Sequence, residues 1–592
     1  MSNAQRWFWK KEMIGEKMKE SGMSRRNFIT GTALAGVGIA AGLTACSNST
    51  KPENSGKKDM DFNILPDAWS DEADVIVVGY GGSGVNAAIS ALKNGASVIA
   101  LEKAPDRIGG NMGQSQGTLH DCPDANVDEW LKCYKHGAFQ TGLEDAEIRA
   151  FMEEAVKIPK WLEEYGMKIN WVELKHELGK SWPVYQLEGH IERGLGAGFD
   201  LFLGFDEIAS NLDVDVRCST RANRLIQNPV TKEILGVEAE DTNTGKTFYF
   251  KAKKGVVMSI GGYERNREML YNHVLPGIDL IGGGGSNIYN TGDGFPMVLE
   301  AGAKLWHMTS IHTSSVGLRR PWQEGVEDGV GNMFRENLGR GPGGRKREVP
   351  WPYIFIGWHG HRFMNENYQF AHDANHKAAF DYSSQDAFVK TWPGAQDPMV
   401  LRYTDITTDY VNMPFFVVFD SHMYKENDPI FPATFKSNQE AVNAGWIMKG
   451  ETWDELAKNI YGKRPCNEEW DMVKGINAEA LKKTIATYNG YAKNKKDPEF
   501  GRYDFSLKAF SETGPYYAME LQWGLDFTEG GPMRNGKCQT IGHNGKPIPR
   551  LYSTGEFGSY NSTAYTIGGL VQACTTGRIA GREAAGLEAW DM

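Results

Sequence analysis

The hydrophobic pattern is most ordered over residues 73–103, ADVIVVGYGGSGVNAAISALKNGASVIALEK. An apolar, β-branched run, Val75 to Val78, predicts a strand. A helix-like segment follows a glycine-rich break, and a second apolar run, Ser97 to Leu101, predicts the next strand. The break carries Gly79, Gly81 and Gly84 in G-x-G-x-x-G spacing, with Gly82 and Ser83 in the same turn. Such glycines permit a tight turn and let backbone N–H groups and a helix N-terminus approach a pyrophosphate. Glu102, followed by Lys103, ends the second strand 18 residues past Gly84, where a carboxylate can hold the adenosine ribose. Strand, helix, strand and acid in this order predict a dinucleotide-binding unit.

A weaker apolar stretch rich in Gly, Ala and Thr occupies SRRNFITGTALAGVGIAAGLTAC, residues 24–46. It is too short and glycine-rich for a comfortable membrane span. Arg25 and Arg26 in their Ser-Arg-Arg-x-Phe setting resemble a twin-arginine export signal, and LTAC resembles a lipobox. The expectation is a signal peptide over 1–46, Cys46 as the lipidated first residue of the mature protein, and a polar tether over 47–70. The protein is then extracytoplasmic and lipid-anchored to the membrane; a plain amphipathic N-terminus is the alternative. Residues before Met23 are either an upstream start or a real extension.

Length and composition add exclusions. With 592 residues, 41% hydrophobic and 23% charged, the chain has room for two packed domains and is not one small module. A net charge of -11 with no basic stripe argues against a nucleic-acid partner. The seven cysteines show no metal-ligand, haem or iron–sulfur spacing. Cys122, Cys133, Cys218, Cys466, Cys538 and Cys574 are scattered, as buried thiols or with a Cys122–Cys133 disulfide.

Behind the ribose acid, EKAPDRIGGNMGQSQG carries a second flexible segment with Gly109, Gly110, Asn111, Ser115 and Gly117. Here the chain resembles the fumarate reductase and succinate dehydrogenase flavoprotein family. Further matches are RANRLI with Ala222, MSIGGYERN with Gly261 and Gly262, NTGDGFPMVLEAGA with Asp293, GHRFMNE, GPYYAMEL, FTEGG and GKPIPRLYSTGEFG. The resemblance implies FAD lying extended across an α/β, Rossmann-like domain of the glutathione-reductase type. This domain would run over 71–305 and 524–592, with an inserted α+β capping domain over 306–523 that closes on the flavin and expels water. It implies the residues just named as FAD contacts, with Glu556 on the ribityl chain. Thr566 and Ile567 would open a helix whose positive N-terminus faces the flavin pyrimidine oxygens and stabilises anionic reduced flavin.

The resemblance breaks at the substrate. Phe370 stands where the family's proton-delivering arginine falls, Thr566 where a carboxylate-clamping arginine falls, and Asp526 where a histidine is expected. A buried dicarboxylate without cationic partners costs on the order of several kcal/mol per ion in desolvation, so fumarate is not the expected substrate. SYNSTAYTIGG instead resembles the C-terminal segment of 3-ketosteroid dehydrogenases, which implies Tyr560 and the backbone N–H of Ala564 as donors to a ketone oxygen. Tyr368, Tyr565, His307 and His312 are further candidates for donor or acid. Asp526 and Glu529 either hold a substrate hydroxyl or amine or organise their loop.

The expected activity is reduction of a carbon–carbon double bond activated by an adjacent carbonyl, in an enone or enoate other than fumarate. Hydride would pass from the flavin to the β-carbon. Electrons would come from an external cytochrome or flavoprotein at the membrane, making the substrate a respiratory terminal acceptor. A 3-ketosteroid-type dehydrogenase running the reverse chemistry is the first alternative. A flavin electron carrier or binding lipoprotein without a substrate is the second.

Overall fold

The computed structural model describes residues 65–115, 117–120, 126–137, 145–175, 181–188, 197–274, 287–318, 351–366, 414–431, 434–463, 472–561 and 568–591. Strand β1 (Asp71–Val78) lies at the centre of its sheet. Ile76 and Val78 pack into a core with Val256, Met258 and Leu551, while Val75 and Val77 feed a second core with Ala87, Ala88 and Ile579. A strand covered on both faces needs the unbroken apolar run seen in the sequence.

β1 pairs in parallel with β2 (Val98–Leu101) on one side and Thr247–Met258 on the other. Asp215–Arg217 continues the parallel order outside β2, and Pro547–Ser553 outside Thr247–Met258. Thr220–Gln227 and Ile234–Asp241 form an antiparallel excursion onto Thr247–Met258, and Gln539–Ile541 closes one edge to give eight strands. This is the α/β architecture the glycine motif predicts.

Helix α1 (Gly82–Lys93) follows β1 at close range: a Cβ on Gly84 would lie 2.0 Å from the Gly79 carbonyl oxygen. The C-terminal helix, Gly569–Ala585, packs alongside α1. A Cβ on Gly577 would lie 2.3 Å from the Ser83 carbonyl oxygen, and one on Gly581 2.2 Å from that of Ala87. These two glycines, one helical turn apart, let the helices approach side by side and bring both N-termini to one cleft.

A five-stranded antiparallel sheet is built from the middle of the chain, in the order Ile311–Leu318, Tyr516–Thr528, Phe415–Asp420, Tyr353–Gly357, with Met448–Gly450 also on Tyr516–Thr528. Tyr353 and Phe355 join the core shared with the nucleotide-binding sheet, whereas Ile354 and Ile356 join a separate core with Leu481, Ile485 and Tyr488. The strand Tyr516–Thr528 runs through the boundary expected at 523/524, because its pairing with Ile311–Leu318 continues to Thr528.

The GHRFMNE motif is a buried strut in this part of the chain. Arg362 pairs with Glu366 at 2.7 Å and Asp497 at 2.9 Å, and Arg502 lies 3.3 Å from Glu366. Two guanidiniums against two carboxylates leave no net charge to bury. Arg502 also donates to the Tyr353 carbonyl at 2.6 Å, fastening the segment to the sheet.

Candidate active site

A cleft with about 1100 Å³ of empty space opens at the carboxyl ends of β1 and β2 and runs past both helix N-termini. Open parallel sheets bind ligands at this end. The N-cap of α1 is Gly81, which makes no side-chain cap, and the first turn carries no acid. The C-terminal helix starts in the same way from Gly568. Uncapped N–H groups and the helix dipoles therefore give the cleft two positive ends without any charged side chain. Gly79, Gly81, Gly82, Ser83 and Gly110 form the wall at α1. A Cβ on Gly110 would lie 3.3 Å from the Gly81 Cα, so side chains here would narrow the gap that a pyrophosphate needs.

At one end of the cleft Glu102 accepts from the Tyr80 N–H at 2.9 Å and the Ala104 N–H at 2.8 Å. Burial pushes its pKa up, and these bonds pull the other way. Lys103 pairs with Asp293 at 2.7 Å and donates to Thr291 at 2.7 Å. Arg221 approaches the same Asp293 carboxylate at 3.3 Å. Burial acts to raise Asp293, but the hydrogen bond and charge of Lys103 outweigh it and hold the group below the usual carboxylate range. Both cations lining the described cleft are thus committed to one carboxylate.

The flavin-facing stretch has the opposite character. Asn111, Asn287, Asn290, Phe527, Glu556 and Gly569 line it, with no cation among the described residues. Asn111 reaches the Asp526 carbonyl at 3.4 Å, so the position expected to hold histidine lies beside this stretch.

Thirteen of the predicted cofactor residues line the cleft: Gly79, Gly81, Gly82, Ser83, Glu102, Lys103, Gly110, Asn111, Ser115, Ala222, Gly261, Asp293 and Glu556. Four others are not among the residues that line the empty cleft. Gly84 gives clearance for α1, Gly109 for the Phe202 ring and Gly117 for the Ala197–Gly198 backbone, while the Gly262 N–H donates to Glu556 at 2.7 Å. Thr566 and Ile567 lie outside the described residues, although the helix expected to open near them starts at Gly569. Sequence reasoning missed Thr220, Arg221, Ser259, Asn287, Tyr289 and Asn290. Arg221 neighbours the chosen Ala222, but its spacing carried no signal of its own.

The catalytic expectations fare differently. Tyr560 is fully buried and donates to the Asn535 carbonyl at 2.8 Å; its ring packs edge-on to Phe151, beneath the Arg534 guanidinium. Burial pushes its hydroxyl well above the usual range. This corrects the expectation that its phenol faces substrate: the hydroxyl is committed to a core carbonyl and does not line the cleft. His307 stacks on Trp306, and its Nδ1 lies 3.0 Å from the Ser559 carbonyl oxygen. Burial lowers its pKa to about 4, so the ring is neutral near pH 7. His312 sits on the strand Ile311–Leu318 in register with the cleft-lining Phe527. Tyr368, Phe370, Ala564 and Tyr565 lie outside the described residues, as do residues 1–64 with Cys46. Cys122 also lies outside; Cys218, Cys538 and Cys574 are free thiols.

The glycine wall, the uncapped helix ends and the ribose acid define a dinucleotide-binding flavoprotein. The chain belongs to the FAD-binding domain family, whose model matches residues 74–570, and it is an FAD-dependent oxidoreductase. It is 27% identical over 531 residues to a probable fumarate reductase, Ifc3, of Shewanella frigidimarina, covering 87% of this chain and 75% of that protein. It is 25% identical over 623 residues to the digoxin reductase of Eggerthella lenta, covering 97% of this chain and 98% of that one. Among solved structures, the 3-ketosteroid Δ1-dehydrogenase of Sterolibacterium denitrificans matches with a TM-score of 0.67 at 18% identity, over 87% of this chain and 99% of that one.

Proposed function

We propose that this flavoenzyme reduces the activated carbon–carbon double bond of a conjugated carbonyl compound other than fumarate. The observation that carries this reading is the flavin-facing stretch, which holds no cation among the described residues, with Glu556 in its wall and the Asp526 main chain beside it in place of the expected histidine. A dicarboxylate entering there would lose hydration without a cation among these residues to offset it, whereas a neutral or singly charged enone or enoate would lose less hydration. The spread of the relatives, named for reductases of fumarate and of digoxin, supports an ene-reductase whose acceptor varies within the family.

Bound FAD supplies hydride chemistry. The chain's own residues would hold it: the glycine wall and α1 would take the pyrophosphate, Glu102 the ribose, and Asn111, Asn290 and Glu556 the ribityl end. The positive end of the C-terminal helix favours negative charge on the pyrimidine side. With the Tyr560 phenol committed elsewhere, the proposed donor to the substrate carbonyl oxygen is the main-chain N–H of Ala564. Electrons come from an external donor, a cytochrome or another flavoprotein. We further propose export by the twin-arginine route with anchoring at Cys46, which places the enzyme beside a membrane donor.

The test is anaerobic turnover with a reduced viologen dye, with the products isolated. A saturated product from neutral enones or aryl acrylates, together with no succinate from fumarate, is expected. Succinate formed at a comparable rate would refute the reading.

A further inference from the structure

At the flavin-facing wall two carboxyl groups meet with no cation between them among the described residues. Glu264 follows the Gly261–Gly262 turn and is 3% exposed; Glu556 lies in the turn after Pro547–Ser553. The Asn111 side-chain NH2 donates to Glu264 Oε1 and Glu556 Oε2, both at 2.8 Å. That of Asn290 donates to Glu264 Oε1 at 2.6 Å and Glu556 Oε1 at 3.2 Å. The Gly262 N–H adds a bond to Glu556 Oε1 at 2.7 Å, and the Thr528 hydroxyl one to Glu264 Oε2 at 3.4 Å.

Every donor here is a neutral dipole. Among the described residues, Tyr263 and Arg265 flank Glu264 in sequence, and Asp526 and Glu529 flank the Thr528 donor. Tyr263 donates to the Met308 carbonyl. Two carboxyl groups bridged by the same amides, one buried and the other half-buried at the cleft wall, repel each other when both are ionised, which favours a proton held between them.

We propose that Glu264 and Glu556 share one proton, and that Glu264 is a positioning residue which holds the Glu556 carboxyl in place for FAD. Asn111, Asn290 and Glu556 line the cleft; Glu264 stands behind them. Burial pushes both groups above the usual carboxylate range, and the charge of Glu264 pushes Glu556 further. Loss of the shared proton at alkaline pH leaves two negative charges at the ribityl end of a cofactor that is already anionic. FAD affinity therefore falls as pH rises, independently of which substrate the enzyme takes.

The experiment is titration of the full-length apoprotein with FAD, read by flavin fluorescence across neutral to alkaline pH. The wild type is expected to lose at least about tenfold in affinity on the alkaline limb. Glu264→Gln places an amide where the proton sat. It is expected to bind FAD at neutral pH within about threefold of wild type, less than 1 kcal/mol, and with a flat profile. An unchanged alkaline limb in Glu264→Gln, or no alkaline loss in the wild type, overturns the proposal. Infrared spectroscopy of the wild type, which requires no variant to fold, should show a protonated-carboxyl stretch that persists at neutral pH; its absence also overturns it.

Discussion

Tyr560→Phe separates a structural tyrosine from a catalytic one. The substitution deletes one oxygen and keeps the ring, so the edge-on contact with Phe151 at 5.2 Å and the Arg534 guanidinium 4.3 Å above the ring both survive. What goes is the bond from the buried Tyr560 hydroxyl to the half-buried Asn535 carbonyl at 2.8 Å. The Asn535 carbonyl keeps the Cys538 N–H at 2.9 Å, so the cost is the net value of one lost bond, about 0.5–1.5 kcal/mol. Urea unfolding of the holoprotein should show a lower midpoint at unchanged slope. Turnover per bound flavin should stay within about twofold, whereas removing a working general acid costs about 10²-fold or more. A large fall in turnover with no loss of stability would refute the placement of this phenol in the core.

Three further outcomes follow from the geometry. Gly84→Ala drives a Cβ to 2.0 Å from the Gly79 carbonyl oxygen, so the purified variant should retain no FAD; stoichiometric yellow protein would contradict the glycine role. His307, lowered from 6.5 to about 4, binds its proton more readily unfolded than folded. Its contribution is complete above pH 6.5 and is lost as pH falls towards about 4; His307→Gln should flatten the acid limb of the stability curve by at most about 3 kcal/mol. Asp293 is also held low, so it stabilises the fold above the ordinary carboxylate range and loses that contribution on further acidification. Asp293→Asn should therefore weaken the dependence of unfolding free energy on pH at the acid end, and an unchanged slope would mean the pair with Lys103 is not formed in solution.

The nucleotide half of the molecule was legible because its chemistry is local. Gly79, Gly81 and Gly84 are required by backbone clearances within one turn, and Glu102 follows at a distance that one helix fixes. Residues whose role depends on distant partners were not legible. Glu264 gains its meaning only when Glu556, nearly three hundred residues away, folds against it, and Gly577 and Gly581 only when α1 packs on them. Tyr560 shows the opposite error. Its spacing to TIG resembled a catalytic segment, but a tyrosine flanked by turn residues also suits a core that offers a carbonyl for its hydroxyl, and Asn535 supplies one. Arg221 went unselected because a strand arginine is ordinarily a solvated one, and only the fold sets it against Asp293.

The central claim, a reduced flavin that hands its electrons to an activated double bond outside the dicarboxylate class, is tested most directly by anaerobic stopped-flow reoxidation. The FAD-loaded protein is reduced and mixed with fumarate, an aryl acrylate or an unsaturated ketone. The account predicts rapid return of oxidised flavin absorbance with at least one of the latter two and none with fumarate. Rapid reoxidation by fumarate, or silence with every conjugated acceptor, would contradict it.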